Sequence, residues 1–150
     1  MSRQVPVTLT NMCMAQDGEK LLVQNRLDPN WPGISFPGGH VESGESFAAS
    51  VIREVYEETG LTIEHPRLCG IKEWENPDGS RYMVLLYKTD KFSGAVKSSV
   101  EGEVFWATRE EILSMPMTEH FDKIMEVFHR DDLSEFFYQK KPDEFEIKLL

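Results

Sequence analysis

The sequence contains little cysteine: only Cys13 and Cys69 occur among 150 residues. The two lie far apart and in no spacing that is typical of a metal site, so the sequence predicts neither a disulfide framework nor a cysteine-based metal centre. Sparse, unpaired cysteine is typical of proteins in a reducing compartment. We therefore expect a cytoplasmic protein.

Long apolar runs are also missing. No stretch approaches the roughly 18 apolar residues that a membrane-spanning helix needs. The first four residues, Met-Ser-Arg-Gln, lack the apolar core of a secretion signal. We found no internal repeat and no low-complexity segment. The sequence therefore predicts no membrane segment and a single domain over residues 1–150.

Basic residues are outnumbered, with 16 Lys and Arg against 26 Asp and Glu, a formal net charge of −10. So acidic a surface argues against sequence-independent binding of DNA or RNA, which needs a basic footprint. It leaves a small anionic ligand open as a partner, because a bound divalent cation reverses the local field.

The spacing of apolar residues and turn signals predicts a mixture of strands and helices. Strands are predicted over residues 5–14, 19–24, 62–71 (with a break at Pro66), 82–88 and 104–107, with a short extended stretch over 34–36. Helices are predicted over 46–59, from 109 to before Pro116, and over 119–129. Strands outnumber helices, so we expect an α+β fold, an α/β/α sandwich with a mixed β-sheet packed between helices. The amphipathic tail over 133–150 fits an edge strand or a dimer contact, leaving monomer and homodimer open.

The predicted helix over 46–59 carries Glu54, Glu57 and Glu58 within an arc of roughly 100°. Like charges at these spacings repel, and Glu58 projects towards the apolar stripe, where a carboxylate is costly unless a cation compensates it. A solvated acidic face is the alternative. However, the only nearby cation is Arg53, placed to pair with Glu57. Clustered carboxylates are the oxygen ligands that Mg²⁺ and Mn²⁺ require.

The residues around this helix form a longer pattern. Gly39 is followed by five residues, Glu45, seven residues, and then Arg-Glu-Val-Tyr-Glu-Glu-Thr-Gly-Leu over residues 53–61. The segment resembles the Nudix box, Gx5Ex7REUxEExGU with U an aliphatic residue, and all nine fixed positions match. The resemblance extends over residues 5–130. It implies the Nudix fold and hydrolysis of a nucleoside diphosphate linked to another group.

The resemblance also implies roles for the matching residues. Glu57 and Glu58 would be the principal ligands of Mg²⁺ or Mn²⁺, with the Gly39 carbonyl as a further ligand. Glu54 would bind metal or act as the general base. Arg53 would orient a glutamate through a salt bridge. Glu45 would fix the geometry between loop and helix, and Gly60 would end the helix.

The resemblance also implies site residues outside the box. Because many relatives supply an acidic residue from a loop past the central strand, Glu101 and Glu103 are candidates for an additional metal ligand, and Glu101 is preferred; loop solubility is the alternative. Arg26 would contact phosphate, as a basic residue at this place does in MutT-like members; a lone exposed arginine is an alternative of equal weight. The paired glycines, Gly38 and Gly39, let the backbone approach a substrate closely.

A planar base could stack on an aromatic ring, and Phe36, just ahead of the paired glycines, is the preferred candidate. Trp31, Trp74 and Tyr82 are alternatives. For any single one of these rings, packing in the core or a hairpin is the commoner role. His40 is interpreted as a hydrogen-bonded structural residue.

The segment from Phe36 to His40 and the Ser-Val-Glu-Gly-Glu segment ahead of Trp106 look like the MutT-type 8-oxo-dGTP diphosphatase branch of the family. That branch converts an oxidised nucleoside triphosphate to the monophosphate and pyrophosphate, a nucleotide-pool function tied to DNA repair. A nucleotide-sugar or dinucleoside polyphosphate pyrophosphatase is the alternative within the class. A non-catalytic module that senses a nucleotide or binds a protein is the alternative outside it.

Overall fold

A computed structural model describes residues 2–150 of the chain. Within these residues the elements are β1 (Val7–Asp17), β2 (Lys20–Arg26), β3 (Gly33–Ser35), α1 (Phe47–Thr59), β4 (Thr62–Glu64), β5 (Arg67–Glu75), β6 (Arg81–Thr89), β7 (Lys91–Ser93), β8 (Gly102–Thr108), α2 (Arg109–Leu113), α3 (Phe121–His129), β9 (Glu135–Lys140) and β10 (Phe145–Leu149).

Eight strands form one mixed sheet in the order β10-β9-β5-β6-β1-β2-β3, with β8 also paired to β2. β1 runs parallel to β6, and β5 runs parallel to β9, whereas the other pairs in this sheet are antiparallel. β4 and β7 form a separate antiparallel pair. The sheet is therefore mixed, as the sequence predicts.

The sheet is covered on both faces because its central strands are apolar on both sides. In β6, Leu85 and Tyr87 face the cluster that contains Val51 and Val55 of α1. The alternate residues of β6 belong to the opposite cluster, together with the buried residues of α2 and α3. A strand buried on both faces appears in sequence as a continuous apolar run, which is what residues 82–87 show. The α/β/α sandwich that we expected is thus confirmed.

The boundaries differ from the predictions in instructive places. The strand predicted over residues 62–71 is two strands, separated at the predicted break beside Pro66, where His65 takes a φ of 51°. β1 reaches Asp17 rather than residue 14, because its hairpin with β2 pairs up to the turn. β7 was not predicted. The tail supplies β9 and β10 to the sheet's edge through the parallel pairing of β9 with β5. None of the helices within residues 2–150 has the length and apolar composition to cross a membrane.

Candidate active site

The first helix is bounded by two residues that satisfy its backbone. Ser46 caps α1 by accepting a hydrogen bond from the N–H of Ala49 at 3.0 Å. Gly60 ends the helix in the left-handed region at φ 78°, which favours glycine. Both ends agree with the sequence prediction. They fix which turn of α1 carries the glutamates.

The paired glycines lie against β1. The N–H of Asn11 donates to the Gly39 carbonyl at 2.8 Å, and the Asn11 side chain accepts from the Gly39 N–H at 3.0 Å. A Cβ on Gly38 would overlap the backbone of Asn11, and a Cβ on Gly39 would overlap the Glu54 carboxylate. At Gly38 only glycine therefore avoids the backbone of β1, and at Gly39 the missing side chain leaves room for the Glu54 carboxylate beside the loop.

Arg53 joins the loop to the helix. Its guanidinium donates to Glu45 at 2.7 and 3.0 Å, to Glu54 at 2.9 Å and to Glu57 at 3.2 Å. It also donates to the carbonyl of His40 at 3.0 Å. The hydrogen bond from Arg53 lowers the pKa of Glu45 to about 2. The predicted pairing of Arg53 with Glu57 is present, and Glu45 joins the loop to the helix in the way that we expected.

Glu58 is the most buried of the three helix glutamates, with 6% of its surface exposed. Its carboxylate accepts the N–H of Gly38 at 3.0 Å and lies beside that of Glu101. Burial, aided by Glu101, raises the pKa of Glu58 to about 9. Burial also raises the pKa of Glu54, against the opposing effect of Arg53. Two carboxylates whose negative charge is poorly solvated, Glu54 and Glu58, thus lie close to the exposed Glu101.

Such a donor set suits a divalent cation. Hard cations bind oxygen ligands, and their charge removes the repulsion among Glu54, Glu58 and Glu101. The Gly39 carbonyl accepts one hydrogen bond and retains a second lone pair. Over residues 2–150, no three acidic, histidine or cysteine side chains are already arranged as a preformed metal site. Arg53 holds Glu54 and Glu57 in ion pairs instead.

A cavity of about 590 Å³ opens at these carboxylates. It brings together most of the site residues that the sequence predicts. Those lining it are Arg26, Phe36, Gly38, Gly39, Glu54, Glu58 and Glu101. Two predicted residues, Arg53 and Glu57, are not part of the lining. Glu103, the rejected alternative to Glu101, is also absent from the lining and pairs with Asn25 across β8 and β2.

The ring of Phe36, our preferred candidate for base stacking, lies in the core. Only 2% of Phe36 is exposed, and its ring meets Phe121 and Phe128 edge to face at 4.8 and 5.0 Å. The Phe36 ring therefore offers no exposed face on which a base could stack. Phe36 therefore contributes to the cavity as part of its wall.

Two aromatic rings also line the cavity; we call them its aromatic end, and we call the set Glu54, Glu58 and Glu101 its acidic end. Trp31, in the loop between β2 and β3, and Tyr82, on β6, are both partly exposed there. Tyr82 stacks on Trp74 with ring centroids 4.5 Å apart and planes 7° apart. These rings were secondary candidates in the sequence, and here they form an aromatic wall.

Arg26 lines the cavity next to Leu27, whose N–H donates to the carbonyl of Glu101 at 3.2 Å. Its Nε donates to the carbonyl of Trp31 at 3.1 Å, and its guanidinium lies 3.7 Å from the carboxylate of Asp28. The side chain is 31% exposed, so part of the guanidinium faces solvent. Arg26 thus positions the loop that carries Trp31 and still has donors to offer to an anion.

Sequence reasoning missed two residues that shape the site. Asn11 anchors the Gly39 N–H and donates to the hydroxyl of Ser50 on α1 at 3.0 Å. A polar residue inside an apolar strand was the available signal. Lys72, on β5, is buried behind the aromatic wall. Lys72 is a charged residue in a strand of both polar and apolar residues, and this pattern does not indicate that it is buried.

Comparison with known proteins gives relatives for both sequence and fold. An uncharacterised Nudix hydrolase of Bacillus subtilis, YvcI, is 37% identical over 114 residues, which is 73% of this chain and 70% of that protein. The crystal structure of a mutator MutT protein from Bacillus halodurans is 31% identical, with a TM-score of 0.78, and the match covers 95% of this chain and 97% of that one.

A third relative is larger. The NAD-capped RNA hydrolase NudC of Mycobacterium tuberculosis is 33% identical over 105 residues, which is 67% of this chain but only 33% of that protein. The model of the NUDIX domain matches residues 6–137, nearly the whole folded chain. The resemblance seen in residues 39–61 is therefore confirmed, and the chain belongs to the Nudix hydrolase family.

Proposed function

We propose that this protein hydrolyses a nucleoside triphosphate to the monophosphate and pyrophosphate, with 8-oxo-dGTP as the first candidate and nucleotide-pool cleansing, and hence DNA repair, as the role. The observation that carries the proposal is one cavity with two chemically distinct ends. Glu54, Glu58 and Glu101 line one end, and Trp31 and Tyr82 line the other. A phosphate chain with its cation suits the first end, and a planar base suits the second.

The acidic end is proposed to hold Mg²⁺, with Mn²⁺ as a substitute. The ligands would come from Glu54, Glu57, Glu58, Glu101 and the Gly39 carbonyl. When bound, the cation neutralises the phosphate charge and lowers the pKa of the attacking water. Arg53 would keep Glu54 and Glu57 in place before the cation arrives, since it contacts both.

The chain's own groups then have defined tasks. Water adds across the P–O–P bridge: its oxygen bonds to phosphorus, the bridging bond breaks, and the leaving phosphate keeps the electron pair. A carboxylate must take the proton that water loses, and Glu54 is our candidate: it lines the cavity, and the raised pKa that burial gives it makes its ionised form a stronger base. Arg26 lines the same cavity as the glutamates and can offer its free donors to the phosphate chain.

Turnover measurements test this proposal. The purified chain is incubated with Mg²⁺ and 8-oxo-dGTP, dGTP, the other dNTPs, NAD, ADP-ribose or diadenosine tetraphosphate, and the products are separated by chromatography. We expect release of 8-oxo-dGMP and pyrophosphate, and its loss in Glu57→Gln, where the exposed carboxylate can be altered without disturbing the core. Glu110→Gln, an exposed glutamate on α2, is the matched control and should retain activity.

A second candidate keeps the chemistry and changes the substrate. The 33% identity with an NAD-capped RNA hydrolase favours a dinucleotide substrate or, more broadly, a nucleotide-sugar or dinucleoside polyphosphate. Two exposed apolar residues, Leu27 and Val100, line the cavity beside its carboxylates and could contact a second nucleoside. Faster turnover of NAD, ADP-ribose or diadenosine tetraphosphate than of any dNTP would establish this candidate in place of the first.

A non-catalytic nucleotide-sensing or protein-binding module is the alternative of another class. A module without catalysis would have no need of Glu54 and Glu58, and burial disfavours the charged form of both carboxylates. The absence of turnover with every substrate, with both Mg²⁺ and Mn²⁺, would replace our proposal with this one.

A further inference from the structure

Lys72 is one of the largest fully buried side chains in the protein, with 1% of its surface exposed. Four aromatic rings surround its ammonium group. The distances from Nζ to the ring centroids are 4.9 Å for Trp31, 5.4 Å for Phe136, and 5.5 Å for both Trp74 and Tyr138. In the part of the chain that the structure describes, its Nζ makes no ion pair and no hydrogen bond within the usual distances.

A buried ammonium group without a carboxylate is costly, and a methionine would fill the same space without that cost. Burial lowers the pKa of Lys72 to about 8, and the charge of Glu119 acts in the opposite direction. The faces of aromatic rings attract a cation, and this attraction is strongest where water is excluded. The cation–π attraction of the four rings therefore stabilises the buried ammonium group.

The four rings differ in whether a strand of the sheet holds their backbone in place. Trp74, Phe136 and Tyr138 lie on the paired strands β5 and β9, so the sheet fixes their backbones. Trp31 lies in the loop between β2 and β3. The hydrogen bonds of that residue, to Arg26 and Asp28, involve only its backbone carbonyl and N–H. The contact with Lys72 ties the Trp31 ring itself to the sheet.

The same ring lines the cavity as part of its aromatic end. The second ring at that end, Tyr82, is backed by Trp74, which also lies against Lys72. A single ammonium group thus sits behind both rings of the aromatic wall. Its loss would free the Trp31 ring to turn away from the cavity.

We propose that Lys72 is a positioning residue for substrate recognition: it holds the Trp31 ring against the sheet and so completes the wall on which a nucleobase stacks. The inference rests on the proposed function for the identity of the base-bearing ligand. It concerns binding, however, and so it can be tested whether or not the chain turns over a given substrate.

The test compares two ligands in the presence of Mg²⁺. One is a non-hydrolysable α,β-methylene analogue of dGTP, and the other is inorganic triphosphate, which has the phosphates but no base. In Lys72→Met we expect the dissociation constant of the dGTP analogue to rise about tenfold, while that of triphosphate stays unchanged. Trp31→Leu should give the same split. The double variant should be no worse than either single one, because both changes remove the same contact.

Each other result overturns the inference. Equal weakening of both ligands would mean a general distortion, and no weakening of the analogue would mean that Lys72 does not act on the base. Additive losses in the double variant would separate Lys72 from Trp31. A wild type that binds the analogue no better than triphosphate would show that the wall takes no base. Trp31→Leu changes a loop residue, so it remains informative if Lys72→Met folds poorly. If the wild type turned over no nucleotide, but Lys72→Met still weakened binding of the dGTP analogue and not of triphosphate, only the proposed function would be overturned. The inference about Lys72 would stand.

Discussion

The two ends of the cavity are built in opposite ways. The acidic end comes mostly from one continuous segment, residues 38–58, with Glu101 added from a distant loop. The aromatic end is assembled from Trp31 in a loop, Tyr82 on β6, and supporting rings on β5 and β9. The proposed chemistry would thus rest on a rigid helix and its adjoining loop, and the proposed recognition of a base would rest on side chains that depend on the tertiary fold.

The two ends also differ in what their residues contribute to stability. Glu54 and Glu58 are held where burial disfavours their charge, so the acidic end costs folding energy that a bound cation would recover. The aromatic end gains energy by burying rings, with Lys72 as its one charged exception. Substitutions at the acidic end should therefore separate activity from stability, whereas substitutions in the aromatic wall should change affinity.

The largest effect is expected for Glu58→Gln, which sharpens this contrast. Turnover should fall about 10²- to 10⁴-fold, because a ligand and its charge are lost from the reacting centre. Stability in the presence of a chelator should increase. The raised pKa of Glu58, about 9, means that the folded chain holds an extra proton between about pH 4.5 and 9. The wild type should therefore lose stability as the pH rises through this range, and Gln should remove the part of that loss that Glu58 causes.

Denaturant titrations of wild type and variant at pH 4.5 and pH 8, with excess chelator, measure this difference. We expect similar free energies of unfolding at pH 4.5 and a more stable variant at pH 8. A variant that is inactive and also less stable at pH 8 would show that Glu58 supports the fold, and the contrast between the two ends would then be wrong.

Arg53→Lys should have the next largest effect. A lysine cannot reproduce the planar set of donors that contacts Glu45, Glu54, Glu57 and the carbonyl of His40. We expect kcat/KM to fall about 10- to 100-fold, as is typical when a partner that orients metal ligands is lost, together with weaker Mg²⁺ affinity.

The matched control for this change is Arg109→Lys, because Arg109 makes a single ion pair, with Glu126 at 2.6 Å, outside the cavity. It should leave kcat/KM within about twofold, as expected for a surface pair. Magnesium titrations of both variants provide the comparison. Equal losses in the two variants would mean that Arg53 has no special role at the acidic end.

The difference in construction explains how much the sequence could predict. The acidic end is encoded by helical spacing and a fixed pattern over residues 39–61, so the amino-acid order was enough to predict Glu54, Glu58 and Gly39, which line the cavity, and Glu57, which does not. Glu101 was preferred as the further acidic residue that the resemblance implies, and it lines the cavity; the metal-binding roles of these residues stay predictions. Local sequence is sufficient here because one helix and one loop set the geometry.

The aromatic end depends on contacts between distant segments, which no local pattern records. Phe36 was preferred because it precedes the paired glycines, yet the packing of α3 against the sheet takes its ring into the core. Tyr82 and Trp74 become neighbours only through the register of β5 and β6. Lys72 could be recognised as buried only once Trp31 and β9 had been placed around it.

The third prediction tests the recognition end alone. Tyr82→Leu keeps an apolar side chain in β6 but removes the face that stacks on Trp74 and lines the cavity. We expect the KM for a base-bearing substrate to rise about five- to tenfold with kcat nearly unchanged, because stacking on an aromatic ring contributes to binding and not to bond breaking. Tyr56→Leu, an exposed tyrosine outside the cavity, is the control. Steady-state kinetics that show a loss in kcat instead would place Tyr82 with the chemistry.

The smallest effect expected is the pH dependence that Lys72 gives to stability. Its pKa falls from 10.5 in the unfolded chain to about 8 in the folded protein, so the unfolded chain binds more protons between these values. The stability of the wild type, relative to Lys72→Met, should therefore rise with pH. The expected rise is roughly 1 kcal/mol between pH 7 and 9. Denaturant titrations at the two pH values measure it, with the exposed Lys123→Met as control. A constant difference would mean that the four rings hold the ammonium so strongly that its pKa stays near that of the unfolded chain. In that case the buried charge of Lys72 would cost no folding energy relative to the neutral amine, unlike the buried carboxylates of the acidic end.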